Sequence, residues 1–155
     1  MPSITGVRVV RSSIHGYGLV ATRDFKEGEI VATIDGVLYA EEDLTDDTYC
    51  LWMDDGYYLD MVDQTRWINH SCDPNCAIEG ELVASPVVNP GDPGGWWAHV
   101  IAERDIKAGE ELTYDYAFPA ALAERCGCGT VNCRGWIVDS DELHQVGQAA
   151  VAVAR

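Results

Sequence analysis

The chain has 155 residues, enough for one compact domain with a core of its own and too few for two domains of ordinary size. Its 26 acidic and 10 basic residues give a net charge of −16, which opposes binding to a phosphate backbone and would attract a basic protein partner, although on charge alone a role in solubility is the better interpretation. With 47% apolar residues, 15 glycines and no apolar run of the roughly 20 residues that cross a bilayer, the composition indicates a folded, loop-rich globular protein.

The N-terminal residues MPSITGVRVV lack the charged head and the long apolar run of a signal peptide. We therefore expect a soluble intracellular protein with no membrane association, nuclear in a eukaryote and cytoplasmic or exported to a host cell in a bacterium. In such a compartment six cysteines favour metal binding or catalysis over disulfides. Cys50 has no cysteine close by and is interpreted as a small buried apolar side chain.

Short apolar segments separated by glycine, proline and aspartate predict a mostly β domain with little helix. Strands are expected at residues 7–10, 19–22, 30–34, 37–39, 49–53, 57–59 and 96–102. Asp35-Gly36 and Asp54-Asp55-Gly56 predict hairpin turns between their flanking strands, and Gly80 predicts a further turn. Residues 89–95 predict a surface loop, and only residues 120–125 and 142–154 have helical composition.

Two segments of similar sequence, RDFKEGE at residues 23–29 and RDIKAGE at residues 104–110, each place a glycine directly before a predicted strand. Two copies are too few for a repeat protein. We expect two similarly built β-corners with a structural role.

The segment RWINHSCDPNC at residues 66–76 concentrates the polar motifs of the chain. Taken alone, Asp73-Pro74-Asn75 is an ordinary turn, because proline fixes φ and the flanking side chains cap the turn. Upstream, His15-Gly16-Tyr17-Gly18 allows the backbone to come close to another group, although taken alone it is better explained as a tight hairpin turn. His99 and His144 have no supporting neighbours and are interpreted as structural or surface residues.

Cys126, Cys128 and Cys133 lie within eight residues of one another, in a glycine-rich segment that has little core of its own. Such a segment usually needs a metal to order it, and Zn²⁺ held by four thiolates is the common solution. The segment supplies three ligands, and Cys72 and Cys76 are the candidates for the fourth. Three unligated thiols are the less favoured alternative.

Leu112-Thr113-Tyr114-Asp115-Tyr116 places two tyrosines two residues apart, on the same side of an extended segment. Taken alone, an amphipathic aromatic strand explains this pattern better than chemistry does. A phenol hydroxyl can nevertheless orient an amine or stabilise charge near a reacting centre. The sequence contains neither a serine nucleophile elbow nor a GxxxxGK[ST] phosphate loop.

Four motifs in this order resemble those of the SET-domain protein lysine methyltransferases. They are HGYG at residues 15–18, NHSCDPN at 69–75, EELTYDY at 110–116 and CGC-x4-CRGW at 126–136. The resemblance covers about residues 5–138 and is closest to the mixed-lineage-leukaemia (trithorax) type. It implies a SET domain over residues 5–118, a post-SET zinc segment over 119–138 and a C-terminal tail over 139–155.

The resemblance implies a β-clip-like SET fold of several small sheets, with a pseudoknot in which the C-terminal segment threads under residues 69–72. It also implies a cleft for S-adenosylmethionine, with Trp136 against the adenine. The residues it assigns to this cleft are His15, Gly16, Tyr17, Gly18, Tyr49, Arg66, Asn69, His70 and Trp136. For the zinc, it favours Cys72 as the fourth ligand beside Cys126, Cys128 and Cys133, which leaves Cys76 free.

By the same resemblance, Tyr116 is the catalytic tyrosine, which orients a lysine amine for in-line attack on the sulfonium methyl group. The lysine must first lose its proton, and a narrow apolar channel beside the cationic sulfonium lowers its pKa from about 10.4. Tyr114 matches the position that limits product size, so we expect mainly mono-methylation. The expected substrate is a histone or another basic protein tail, with no direct binding to nucleic acid.

Two departures from the trithorax type leave the substrate open. The insert between Tyr39 and Tyr49, which helps form the peptide groove, is short, and so is the segment 60–66. We expect a monomer and leave open the need for an activating protein partner. The alternative function is a non-catalytic SET-fold module that bears zinc and binds proteins, but the presence of Tyr116, Asn69 and Gly16-Tyr17-Gly18 favours the enzyme.

Overall fold

The computed structural model describes residues 4–53, 56–82 and 96–146. Twelve short strands form five small sheets in this part of the chain, and its helical segments are single turns. The expected mostly β architecture of several small sheets is confirmed. None of the helices in the described ranges is long and apolar enough to cross a membrane. The loop predicted at residues 89–95, the turn residues Asp54 and Asp55, and residues 147–154 lie outside the described residues.

The strands pair mostly in antiparallel fashion. The first sheet contains β1 (Val7–Arg11) and β2 (Tyr17–Ala21). The second contains, in spatial order, β3 (Ile30–Thr33), β9 (Trp96–Ala102) and β8 (Cys76–Leu82). The third contains, in spatial order, β4 (Gly36–Ala40), β6 (Tyr57–Met61) and β5 (Cys50–Trp52). Two-residue strands complete the fold: β7 (Asn69–His70) lies parallel to β10 (Thr113–Tyr114), and β11 (Glu124–Arg125) is antiparallel to β12 (Trp136–Ile137). Short 3-10 turns occupy Glu41–Asp43, Gln64–Trp67 and Ala120–Leu122.

One apolar core connects the sheets. Leu19 of β2, Leu59 of β6 and Val100 of β9 belong to the same buried cluster, each at most 1% exposed. In the third sheet Leu59 pairs with Leu38 on one side and Leu51 on the other, so this row of leucines faces the core. Burial of each such side chain contributes roughly 1.5–3 kcal/mol.

The two similar segments at residues 23–29 and 104–110 pair with each other. Phe25 and Ile106 exchange two backbone hydrogen bonds of 2.8 Å each. The carboxylate of Asp24 accepts the backbone N–H of Ala108, and the carboxylate of Asp105 accepts the backbone N–H of Glu27. Each corner turns at a glycine, with φ values of 83° and 95°. The prediction of two similarly built corners is confirmed, and each corner caps the other.

The predicted hairpin turn at Asp35-Gly36 is wrong. β3 pairs with β9 and β4 pairs with β6, so these two residues carry the chain from one sheet to another. Gly36 lacks the positive φ that a two-residue hairpin turn requires. A Cβ on Gly36 would instead lie 2.6 Å from the carbonyl oxygen of Asp60 in β6. The glycine is there because two strands approach each other closely.

Two further local predictions are also wrong. Gly80 does not form a turn but lies within β8, opposite Ala98 of β9, in an unbroken ladder of seven pairs. The pairing with β9 therefore outweighs the turn preference of a single glycine. Residues 120–125 form one 3-10 turn followed by β11 rather than a helix, since a segment of this length gains too little from helical hydrogen bonds alone.

Candidate active site

The centre of the site is the parallel pair of β7 and β10. Asn69 pairs with Thr113 and His70 with Tyr114, and the Ser71 N–H donates to the Tyr114 carbonyl at 3.2 Å. The pairing joins the NHSCDPN and EELTYDY motifs, which are the two segments that the expected pseudoknot brings together. The threading of the chain itself stays a prediction.

Asn75 fixes these two segments against each other. Its side chain is 4% exposed, donates to the Glu111 carbonyl at 2.9 Å and accepts the Thr113 N–H at 2.9 Å. The sequence predicts only a turn cap here, a role that Ser71 performs by accepting the Asp73 N–H. Because a buried amide needs partners, the role of Asn75 is to bond the neighbouring motif.

Asn69 holds the HGYG loop. Its Nδ2 donates to the carbonyl oxygens of His15 at 3.0 Å and Tyr17 at 2.8 Å, and it lies 3.0 Å from Glu111 Oε1. The NHSC and HGYG motifs, 54 residues apart in the chain, are therefore in direct contact. The predicted contact of Asn69 with a cofactor stays a prediction.

Glu111 belongs to the EELTYDY motif but was assigned no role of its own from the sequence, and it lies against the same loop. Its Oε1 accepts the Ser12 hydroxyl at 2.7 Å as well as Asn69. A Cβ on Gly18 would overlap this oxygen and lie 2.8 Å from Glu111 Cδ, so the close approach that Gly18 permits is to Glu111. Gly16 has φ of 49°, a value that favours glycine in a turn, and no heavy atom lies within 4 Å of where its Cβ would be. The space beside Gly16 is therefore open.

Trp67 joins two predicted residues into an aromatic group. The rings of Tyr17 and Tyr49 each meet Trp67 edge-on with centroids 5.5 Å apart. The Arg66 guanidinium lies 4.1 Å above the ring of Tyr49, and its Nε is buried without a hydrogen-bond partner among the described residues. A half-buried guanidinium with a donor that no described residue uses fits an anionic group of a bound ligand. The sequence placed Tyr17, Tyr49 and Arg66 together and missed Trp67.

Tyr114, Tyr116 and Phe118 form a row of rings, with centroids 4.8 and 5.6 Å apart. The Tyr116 hydroxyl donates to the Ile68 carbonyl at 2.6 Å. Burial, with the charges of Tyr49 and Glu111, raises the pKa of Tyr116 to about 12, and burial also raises the pKa of Tyr114. Tyr116 is therefore a neutral phenol at neutral pH whose oxygen can still accept a hydrogen bond. Phe118 is a further member that the sequence did not single out.

The four predicted zinc ligands come together. The Sγ atoms of Cys72, Cys126, Cys128 and Cys133 all lie within 4.8 Å of one another, and Cys72 and Cys126 are 3.7 Å apart. A tetrahedron with Zn–S bonds of about 2.3 Å has sulfur–sulfur edges of about 3.8 Å. Backbone N–H groups of Arg134, Cys128 and Gly135 point at three of these sulfurs at 3.3–3.4 Å, as suits thiolates. Cys76 is buried in the core, outside the cluster.

The cysteine segment is bonded to the tyrosine segment. Arg134 Nη2 lies 2.8 Å from Asp115 Oδ1, which also accepts the Ala117 N–H at 3.0 Å. Ala117 has φ of 49°, the one described non-glycine residue with positive φ, so the backbone is strained next to Tyr116. Trp136 lies with its ring 4.2 Å from the Arg125 guanidinium, and its predicted contact with adenine stays a prediction.

A family model described as SET domain matches residues 16–117. This chain belongs to the SET domain family. The human histone-lysine N-methyltransferase 2B and the Drosophila virilis histone-lysine N-methyltransferase trithorax are each 37% identical to it over 84% of its length. The expected likeness to the trithorax type is confirmed. The chain spans only 5% and 4% of the length of these two relatives.

Solved structures agree with this SET fold. A crystal structure of KRYPTONITE in complex with mCHG DNA and SAH superimposes with a TM-score of 0.69 and 25% identity, over 84% of this chain and 28% of that one. A second KRYPTONITE structure, which contains mCHH DNA, an H3(1-15) peptide and SAH, gives a TM-score of 0.67 and 26% identity.

Proposed function

We propose that this SET domain is an S-adenosylmethionine-dependent protein-lysine N-methyltransferase. The observation that carries the proposal is the position of Tyr116. Its neutral phenol donates to the carbonyl of Ile68 and lies within a row of aromatic rings. Ile68 directly precedes the NHSC motif, whose Asn69 holds the HGYG loop. The SAH in both KRYPTONITE structures supports the same cofactor here.

The residues that would hold the cofactor have suitable chemistry. The loop around Gly16 is open on one side, and the buried Arg66 Nε has a donor to offer a carboxylate. The predicted residues His15, Tyr17, Gly18, Tyr49, Asn69, His70 and Trp136 would complete the cleft. When bound, S-adenosylmethionine supplies an electrophilic methyl group on a sulfonium.

Tyr116 would orient the substrate. Its hydroxyl gives its one proton to Ile68, so its oxygen can accept an N–H from a lysine amine. The rings of Tyr114 and Phe118 lie beside Tyr116 and would exclude water from a bound lysine, which would lower the pKa of the lysine and favour the neutral nucleophile. The ammonium proton would pass to solvent water before the amine enters the site; the amine lone pair would then form the N–C bond while the S–C electron pair goes to sulfur and SAH is left. Positioning of this kind can supply roughly 7–11 kcal/mol.

The four cysteines would hold a structural Zn²⁺, because their sulfurs have the spacing of a tetrahedral site and backbone donors for the thiolates. The ion would order the post-SET segment, whose only regular structure is the 3-10 turn Ala120–Leu122 and the two-residue pair of β11 and β12. Cys72 lies two residues after His70, so the ion would also tie this segment to the active site.

The substrate would be a lysine in a basic protein segment, and a histone tail is the first candidate. The net charge of −16 attracts such a segment, and the H3(1-15) peptide in one KRYPTONITE structure is of this kind. The same charge opposes direct binding to nucleic acid, although both KRYPTONITE structures contain DNA. With a histone as substrate, the site of action in a eukaryote would be the nucleus.

Tyr114 would limit the product mainly to mono-methyl-lysine. Its ring is in contact with Tyr116, where extra methyl groups would need space. Replacing Tyr114 with Phe removes the hydroxyl and should shift the product from mono- towards di- and tri-methyl-lysine by mass spectrometry. An unchanged product distribution would rule out this role for Tyr114.

Transfer of radiolabelled methyl groups from S-adenosylmethionine to a panel of basic proteins tests the proposal and identifies the substrate. We expect label on lysine with the wild type and with the surface variant His144→Asn, and a loss of roughly 100-fold or more with Tyr116→Phe. Calorimetric binding of SAH without any transfer would indicate a missing partner or substrate. Neither binding nor transfer would overturn the proposal in favour of a non-catalytic module.

A further inference from the structure

The imidazole of His70 lies between the cysteine cluster and Tyr116. Its Nε2 is 3.4 Å from Cys72 Sγ, and its Nδ1 is 3.1 Å from the backbone nitrogen of Tyr116. The ring is 3% exposed, so water does not compete for either contact. The Tyr116 ring also meets this imidazole edge-on, with centroids 5.4 Å apart.

These contacts determine which ring nitrogen carries the proton. A backbone N–H can only donate, so His70 Nδ1 must accept from Tyr116, and the hydrogen of the neutral ring is on Nε2, directed at Cys72 Sγ. Asp115 Oδ1 lies 3.5 Å from Nδ1 and would favour the opposite tautomer. That oxygen already accepts from Arg134 and Ala117 at 2.8 and 3.0 Å, so it does not need the His70 proton.

We propose that His70 is a positioning residue that couples the cysteine cluster to Tyr116. Its Nε2–H joins the Arg134 N–H as a donor to Cys72 Sγ and so stabilises the thiolate for a metal ion. Its Nδ1 holds the peptide group that carries Tyr116. One ring therefore supports both metal binding and the position of Tyr116. The effect on methyl transfer rests on the proposed function, whereas the effect on metal binding does not.

Two amide substitutions separate the two contacts. In His70→Gln the amide nitrogen can reach the position of Nε2 and donate to Cys72, but nothing accepts from Tyr116. In His70→Asn the amide oxygen can take the position of Nδ1 and accept from Tyr116, but nothing reaches Cys72. His144→Gln and His144→Asn are matched controls on an exposed histidine.

We would measure Co²⁺ affinity from the thiolate-to-metal absorption band, and kcat for methyl transfer with the metal site saturated. We expect His70→Asn to weaken Co²⁺ binding roughly 10- to 100-fold and to lower kcat less than His70→Gln does. We expect His70→Gln to bind Co²⁺ with nearly the affinity of the wild type and to have a kcat that is roughly 10- to 100-fold lower. If both variants lose both properties in equal proportion, or neither variant changes either property, the coupling is absent.

A measurement on the wild type decides the point if a variant fails to fold. In the protein loaded with ¹¹³Cd²⁺, long-range ¹H–¹⁵N spectra should place the His70 proton on Nε2, and this proton should couple to the metal through the hydrogen bond to sulfur. A proton on Nδ1, or no such coupling, would overturn the proposal. A wild type that shows the coupling and yet transfers no methyl group would contradict the proposed function and leave metal support by His70 standing.

Discussion

A single methyl group at Gly18 should disrupt the contact between the HGYG loop and the EELTYDY motif. In Gly18→Ala the new Cβ would overlap Glu111 Oε1 and lie 2.8 Å from Cδ, inside van der Waals contact. The Glu111 carboxylate is held by Ser12 and Asn69, so it cannot move away without losing those hydrogen bonds. Either the HGYG loop and the EELTYDY motif must therefore move apart, or the hydrogen bonds from Ser12 and Asn69 to Glu111 must break.

The magnitude follows from these contacts. Overpacking of this kind costs about 1–3 kcal/mol, and each weakened hydrogen bond costs about 1 kcal/mol more. If one of the two hydrogen bonds is weakened, we expect a total loss of about 2–4 kcal/mol in the free energy of unfolding. A domain of this size loses about 2–4 °C in Tm per kcal/mol, so the loss should be evident in a thermal melt.

A double-mutant cycle with Glu111→Ala isolates the contact. In the Glu111→Ala background there is no carboxylate to overlap, so Gly18→Ala should cost at least about 1 kcal/mol less than in the wild type by urea unfolding. Gly127→Ala is a matched control, because its Cβ would meet only the Ile14 carbonyl at 3.7 Å. If Gly18→Ala is as mild as Gly127→Ala, or if the two changes add, the inferred contact between Gly18 and Glu111 is wrong.

Three other predictions concern strain, pH and metal. Ala117→Gly should raise the free energy of unfolding by up to about 1 kcal/mol in urea, because it removes a non-glycine residue from φ of 49°, and no gain would show that this backbone is unstrained. The pKa of free tyrosine is about 10 and burial raises that of Tyr116 to about 12, so the unfolded state loses this proton first as the pH rises. The free energy of unfolding should therefore fall from about pH 10 to about pH 12, and less steeply in Tyr116→Phe. Equal slopes for the two proteins would contradict this assignment. A chelator should lower the Tm of the wild type, and Cys72→Ser should reduce zinc content by mass spectrometry while Cys76→Ser should not.

The parts of the site that the sequence predicts are those marked by residue types with special chemistry. Cys72, Cys126, Cys128 and Cys133 converge as expected, and their role can be predicted from sequence because cysteine is the only residue type that provides a thiolate for a metal. Tyr114 and Tyr116 lie side by side, as their spacing predicts, and Tyr17, Tyr49 and Arg66 lie close together, although the sequence indicated neither Phe118 nor Trp67 as their neighbours. The mostly β fold also follows, since turn residues separate short apolar segments throughout the chain.

The parts that were missed depend on contacts between distant residues. Glu111 and Asn75 are ordinary polar residues in the sequence, and their roles arise only when β7 and β10 are paired. Asp35-Gly36 has the composition of a hairpin turn, but position 36 needs a glycine because the Asp60 carbonyl, in a strand more than 20 residues away, leaves no space for a Cβ. Such positions cannot be assigned locally, because the partner is defined by the sheet order.

Mass spectrometry of a basic lysine peptide after incubation with S-adenosylmethionine tests the central claim most directly. The wild type should methylate a lysine side chain, and Tyr116→Phe should bind SAH with unchanged affinity by calorimetry while forming little or no product. Methylation of a residue other than lysine, or equal product from Tyr116→Phe, would contradict a lysine methyltransferase built around Tyr116.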